Sequence, residues 1–226
     1  MSERLLSFFH FVQFTPAYWD SLPDKRREVQ RGFLADLAAS DFHYDIYQIF
    51  PMDAQIDLLL WCSTQMSEEM TPKHFFTRTA RALMPHRHWI SPRYSWWGMT
   101  CPSDYARGKS SQEIDPFDSQ RGSYLIVYPF SKNADWYKLS RDTRQGMMNE
   151  HMRIGHQYPQ IRQLLLYSTG LQNHEFIVAY EAEDLALFSA LVVELRSSEA
   201  RRYTGADTPV FTAIYRNPEE TLSLFV

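Results

Sequence analysis

The chain has 226 residues, of which 44% are hydrophobic and 15% aromatic, enough to fill a substantial core in one large domain or two small ones. Its 23 lysines and arginines against 27 acidic residues give a formal charge of -4 with no basic block, which argues against a nucleic-acid surface and leaves anionic ligands to local basic pockets. Cys62 and Cys101 are too few for a disulfide framework or a thiolate zinc site, and no apolar run has the length of a membrane span or the make-up of a signal peptide; a cytoplasmic protein is expected.

Residues 8–14 are aromatic and partly alternating, as a strand is, and Thr15-Pro16 ends them. A helix is predicted over 24–39, with Val29, Phe33, Leu34 and Leu37 on one face. Strands follow at 42–50 and 56–63, the second nearly all apolar and so buried on both faces. Thr71 caps a helix with Pro72 at its first position and Phe75, Phe76, Thr79 and Leu83 as its stripe. A strand over 94–100 places Trp96 and Trp97 on opposite faces, so both faces need cover. Residues 102–122 are rich in turn formers and read as a linker, after which the pattern restarts: strand 124–130, helix 140–158, strands 161–168 and 175–180 around a turn at 170–173, helix 184–196 and strand 210–216. The apolar tail Leu222, Leu224, Phe225 and Val226 is expected to dock rather than hang free.

The order strand, helix, strand, strand, helix, strand thus occurs twice, offset by about 115 residues. The fold class is α+β: two tandem ferredoxin-like units with antiparallel sheets and helices on their outer faces, bounded as 1–105, a linker 106–122, and 123–226.

Two segments carry candidate chemistry. Tyr128, Phe130 and Lys132 alternate onto one strand face, aromatic and basic, with Tyr128 and Lys132 about 13 Å apart in extended chain, a span suited to different parts of a large ligand. A tyrosine with its pKa near about 10 is scarcely ionised at neutral pH, so it serves as packing or as a hydrogen-atom donor rather than as a base. The helix after Ser140 brings Met147, Met148, His151, Ile154 and Gly155 to one face, where His151 is either a packed core residue or a ligand. His86, Arg87 and His88 sit at a helix end, where cations complement the dipole, and no His-Glu-x-x-His, paired-cysteine or glycine-rich phosphate motif is present.

Taken together, Tyr128-Pro129-Phe130-Ser131-Lys132, Trp136-Tyr137, Arg144, Glu150-His151, Ile154-Gly155 and Tyr158 resemble the signature of the chlorite dismutase superfamily, most closely its coproheme decarboxylase branch. The resemblance implies a dimeric α+β barrel of two ferredoxin-like halves, ring-shaped homo-oligomers, commonly pentamers, and heme in the carboxyl-terminal half. By that resemblance His151 is the iron ligand and Glu199 the carboxylate on its other nitrogen. Tyr128 is the redox relay, Lys132 serves a propionate, and Phe130, Trp136 and Met147 line the site. On the distal side the matching position is Gln163, as in decarboxylases, or, because the interval from His151 to Ser168 is one residue shorter than in the family, Arg162, as chlorite-degrading members require. His156 stands where decarboxylases often carry a propionate-binding arginine. The implied reaction is peroxide-dependent decarboxylation of iron-coproporphyrin (coproheme) to heme b. Chlorite decomposition and heme binding without catalysis are the alternatives.

Overall fold

The computed structural model of the chain describes residues 4–105, 108 and 110–226. Of the expected linker, Ala106, Arg107 and Lys109 lie outside the described residues. The chain divides into two compact units, residues 1–100 with 213–226, and residues 101–212.

The first unit contains β1 (Leu5–Phe14), α1 (Pro16–Trp19), α2 (Pro23–Ala38), β2 (His43–Gln48), β3 (Leu58–Gln65), α3 (Pro72–Leu83) and β4 (Ile90–Met99). β1 lies between β3 and β4, and β2 flanks β3, all antiparallel, which is the strand order of a ferredoxin-like unit. α2 and α3 form where Pro23 and Pro72 open them, and Thr71 accepts a hydrogen bond from His74 N at the second. They pack Val29, Phe33, Leu37 and Phe75 against Leu6, Phe8, Val12, Leu58 and Leu60 of the sheet. The adjacent tryptophans both find cover in this unit: Trp97 meets Phe76 of α3 with ring centroids 4.9 Å apart, and Trp96 meets Phe11 at 4.7 Å.

The carboxyl-terminal stretch, expected with the second half, packs into the first unit instead. The end of β9 (Phe211–Tyr215) pairs with β2, and α7 (Pro218–Ser223) leads Leu222 and Phe225 into the first core. Tyr18 Oη donates to Phe225 O at 2.8 Å, while Gln30 Nε2 donates to Tyr18 Oη at 2.8 Å and to Leu222 O at 2.7 Å. The apolar tail docks because two buried polar side chains donate to its carbonyls while Phe225 packs against Phe14 and Trp19.

The second unit runs β5 (Tyr124–Lys132), α4 (Ala134–Lys138), α5 (Arg141–Gly155), β6 (Arg162–Tyr167), β7 (Phe176–Ala182), α6 (Leu185–Ser197) and the short β8 (Thr204–Ala206). β7 pairs antiparallel with β5 and β6, and β8 extends β5. The turn joining β6 to β7 uses Gly170 at φ +74, a conformation other residues rarely adopt. Ser140 caps α5 through Thr143 N, and Asp184 caps α6 through Ala186 N and Leu187 N. Both helices cover the sheet face that carries Ile126, Val178, Tyr180 and Ala182, contributing Ile154 and Leu191. Part of the expected linker is packed: Ile114 is buried, and the Gln112 amide donates to the carbonyls of Gly155, Tyr158 and Ile161 where α5 ends.

Candidate functional site

The register of the second unit decides which residues share a face. Tyr128 pairs with Val178 and Ile126 with Tyr180 across β5 and β7, while Gln163 pairs with Tyr180 and Leu165 with Val178 across β7 and β6. Cross-strand partners point the same way, so Tyr128, Tyr180 and Gln163 lie on the face that α5 and α6 cover. Arg162 pairs with Glu181 and points to the other face. Its Nη2 meets Glu181 Oε2 at 2.5 Å, and Arg121 Nη1 meets Glu181 Oε1 at 3.3 Å.

On the α5 face the helical stripe is filled unevenly. Ile154 enters the core, whereas Arg144, Met147, Met148 and His151 stay half-buried. His151 has no hydrogen-bond partner among the described residues. Burial, and after it the Lys132 ammonium, pushes its pKa from about 6.5 down to about 4, against the opposing pull of Glu150. The imidazole is therefore neutral at pH 7, the form that ligates a metal.

Lys132 ends β5. Its Nζ sits 4.6 Å from the centroid of the buried Trp136 ring and donates to Ala200 O at 3.3 Å. Desolvation, then the Arg201 charge, lowers its pKa to about 8, leaving it about nine-tenths protonated at neutral pH. Trp136 is held there because Asn133 caps the short α4 and accepts from Trp136 N. Tyr128 stacks on Tyr180 with centroids 6.1 Å apart. Burial raises the Tyr128 pKa; the Tyr180 hydroxyl, Arg196 and Arg201 work against that and Asp207 with it, so the phenol stays protonated at pH 7. Phe130 stacks on Phe176 at 4.7 Å.

Tyr128, Phe130 and Gln163 thus share a sheet face; the Lys132 ammonium lies over Trp136, and its charge is felt at His151. Met147 lies one turn from His151 on the same helix. Glu199 does not join them: it is exposed, and its carboxylate pairs with Arg202 at 3.2 Å. It sits in a 3-10 turn of five residues, Glu199–Tyr203, too short to show its three-residue period in the sequence. The carboxylate that acts on His151 is its neighbour Glu150, whose Oε2 accepts from Glu199 N at 3.1 Å.

Several residues here escaped the sequence reading. Arg201 and Asp207 form an ion pair and act electrostatically on Tyr128. Tyr180 was legible as a strand residue but not as Tyr128's neighbour. Arg144 was visible as part of a motif without a role, and its Nε is buried with no hydrogen-bond partner among the described residues. A buried, unpaired guanidinium nitrogen calls for an acceptor. The donor set, a neutral imidazole, an ammonium and an arginine short of a partner, fits an iron porphyrin with carboxylate arms. No group of three or more histidine, cysteine, aspartate or glutamate side chains suited to a bare metal ion occurs among the described residues.

Comparison with known proteins gives a consistent picture. The model of a family described as chlorite dismutase matches residues 24–216. A coproheme decarboxylase of Mycolicibacterium smegmatis is 28% identical over 167 residues, covering 74% of this chain and 70% of the relative. Another, of Staphylococcus carnosus, is 27% identical and covers 99% of this chain and 97% of the relative. Among solved structures, chlorite dismutase from Candidatus Nitrospira defluvii in complex with imidazole superposes with a TM-score of 0.84 at 20% identity, covering 98% of this chain and 94% of the other, a likeness of fold. Both the two ferredoxin-like units and the resemblance drawn from the motifs are borne out.

Proposed function

We propose that this chain, which belongs to the chlorite dismutase family, binds coproheme and decarboxylates two of its propionates with peroxide to give heme b. The observation that carries this reading is the sheet register that puts Tyr128 and Gln163 on the face covered by α5, the helix of His151, with Arg162 on the opposite face. His151 would hold the iron, Lys132 and Arg144 would meet propionate carboxylates, and Trp136, Phe130 and Met147 would contact the macrocycle. Gln163 would take the side away from His151.

Each propionate that becomes a vinyl group releases one carbon dioxide, one proton and two electrons, and one hydrogen peroxide takes up those two electrons. The bound iron porphyrin supplies the oxidising power. The protein's part is to place the carboxylates and a relay. Tyr128, kept protonated by burial, gives up its hydroxyl hydrogen as proton and electron together and later recovers one, so it is a hydrogen-atom carrier and not a base. Lys132 is mostly a cation and holds a carboxylate by charge.

Chlorite decomposition, the rival reaction, calls for an arginine over the iron. Arg162 is engaged by Glu181 away from the Tyr128 face, which favours decarboxylation. Assembly as a homopentamer is part of the same proposal. No helix among the described residues is long and apolar enough to cross a membrane.

The test is an absorption titration of the chain with coproheme and with heme. Saturable binding of coproheme with a spectrum changed by His151→Ala supports the site; a spectrum indifferent to that change removes it. Oxygen release from chlorite, abolished by Arg162→Met and kept by Tyr128→Phe, would replace this reaction with the rival one.

A further inference from the structure

Across β5, β7 and β6 the face that bears Tyr128 runs in rows: Tyr128, Val178 and Leu165 form one, and Phe130, Phe176 and Tyr167 the next. The helices cover this face unequally. Val178 is buried in the core to which α5 and α6 contribute Ile154 and Leu191, whereas Leu165 is 38% exposed and Phe130, Phe176 and Tyr167 are half-buried. The β6 side of the face is therefore an open aromatic and apolar border, and Tyr167 stands at its corner. Its ring meets Phe176 edge-on with centroids 5.3 Å apart, while Phe176 stacks on Phe130 at 4.7 Å. A phenylalanine would pack there as well, so packing does not account for the hydroxyl. That hydroxyl has no hydrogen-bond partner among the described residues. Burial, and after it Cys101, Asp104 and Tyr105, raises the Tyr167 pKa, so the group is a neutral donor at pH 7.

We propose that Tyr167 is a ligand-contacting residue of the porphyrin site, its O–H donating to one carboxylate arm of bound coproheme. The inference rests on coproheme being the ligand of this face. Tyr167 lies two strand spacings of about 4.8 Å across and two rises of about 3.3 Å along from Tyr128, about 12 Å in all, a span suited to a different part of the same large ligand. Coproheme carries four carboxylate arms around its ring, so a ring lying on this face sends them towards more than one strand. Lys132 and Arg144 meet arms from β5 and α5. β6 brings Gln163, Leu165 and Tyr167 to this face, and Tyr167 is the hydroxyl among them.

The test compares the wild type with Tyr167→Phe, which keeps the ring and its contact with Phe176 and removes the donor. Titrated with coproheme and followed by absorption, the variant should bind roughly tenfold more weakly, the worth of one hydrogen bond to a charged acceptor. The iron complex of coproporphyrin tetramethyl ester is the same ring without carboxylate charge, and it should bind the two proteins alike. Unchanged affinity for coproheme, or equal weakening for the acid and the ester, overturns the proposal and leaves Tyr167 as packing for Phe176. Without ligand, the variant should unfold in urea at the wild-type midpoint; a lowered midpoint would trace weaker binding to the fold and likewise contradict a contact. If the wild type itself fails to bind coproheme, the proposed function falls and this contact with it. If the wild type binds and Tyr167→Phe binds equally, the contact alone falls.

Discussion

Glu181→Gln should be among the most damaging single changes in the second unit outside its apolar core. Glu181 is 2% exposed and bridges Arg121, whose side chain is fully buried, and Arg162, whose side chain is 30% exposed. Burial raises the carboxyl pKa, and the two guanidiniums pull it back down. Glutamine keeps the volume and one acceptor oxygen but removes the charge, so Arg121 is left buried with the carbonyls of Asp115 and Pro116 as the acceptors known to remain. Removing one partner of a buried pair costs about 3–5 kcal/mol, while the partly exposed Arg162 end adds about 1 kcal/mol or less. The melting temperature should therefore fall by roughly 6–24 °C, at about 2–4 °C per kcal/mol for a chain of this size. Urea unfolding measures the loss directly, with an unchanged denaturant slope showing that stability alone has moved. Replacing Arg121, Glu181 and Arg162 together by leucine or methionine should cost much less than Glu181→Gln alone, because it removes the charges as a set. A loss below about 1 kcal/mol for the single change would refute the claim that this triad holds a desolvated charge, and with it the reason given for Arg162 being committed away from the Tyr128 face.

Three further outcomes are expected. His10, stacked on Phe8 and bonded through Nδ1 to Ser95 Oγ at 2.8 Å, has its pKa lowered from about 6.5 to about 4 by burial and then by Arg87. The folded state thus resists a proton that the unfolded chain accepts, so its contribution is present above about pH 6.5 and lost towards pH 4. At about 1.4 kcal/mol per pKa unit the loss is about 3 kcal/mol; His10→Gln should flatten that part of the stability curve, and an unchanged curve would contradict the assignment. Tyr18→Phe should cost about 1–3 kcal/mol by stripping the donor from the Phe225 carbonyl, and should make the tail more sensitive to carboxypeptidase; unaltered digestion would mean that the tail is held by its rings alone. Arg162→Met should leave the absorption spectrum of the coproheme complex as in the wild type, whereas Gln163→Leu should change it; the reverse pattern would exchange the two residues' roles.

Much of the fold was legible because periodicity reports burial. Val29, Phe33 and Leu37 defined α2, and the alternation of Tyr128 and Phe130 defined one face of β5, while at Lys132 the pairing with β8 is irregular. The short α4 was missed because five residues span little more than one turn, too few to show a period. Its only local sign was the Asn133 cap. The alternation showed that Arg162 and Gln163 point opposite ways, but which of them faces Tyr128 depends on pairing across β7, which is a long-range property. The same holds for Tyr180, four residues of chain order beyond Phe176 yet diagonal to Tyr128 in the sheet. Glu199 lay in a five-residue 3-10 turn too short to show a period, and there the family resemblance pointed to a carboxylate that pairs with Arg202.

The most direct test of the central claim is mass spectrometry of the porphyrin after the coproheme complex has been treated with hydrogen peroxide, in the wild type and in Tyr128→Phe. The account predicts that the wild-type complex loses two carboxyl groups as carbon dioxide and yields heme b, while Tyr128→Phe binds coproheme and returns it with all four propionates. An intact porphyrin from the wild type, or heme b from Tyr128→Phe at the wild-type rate, would contradict it.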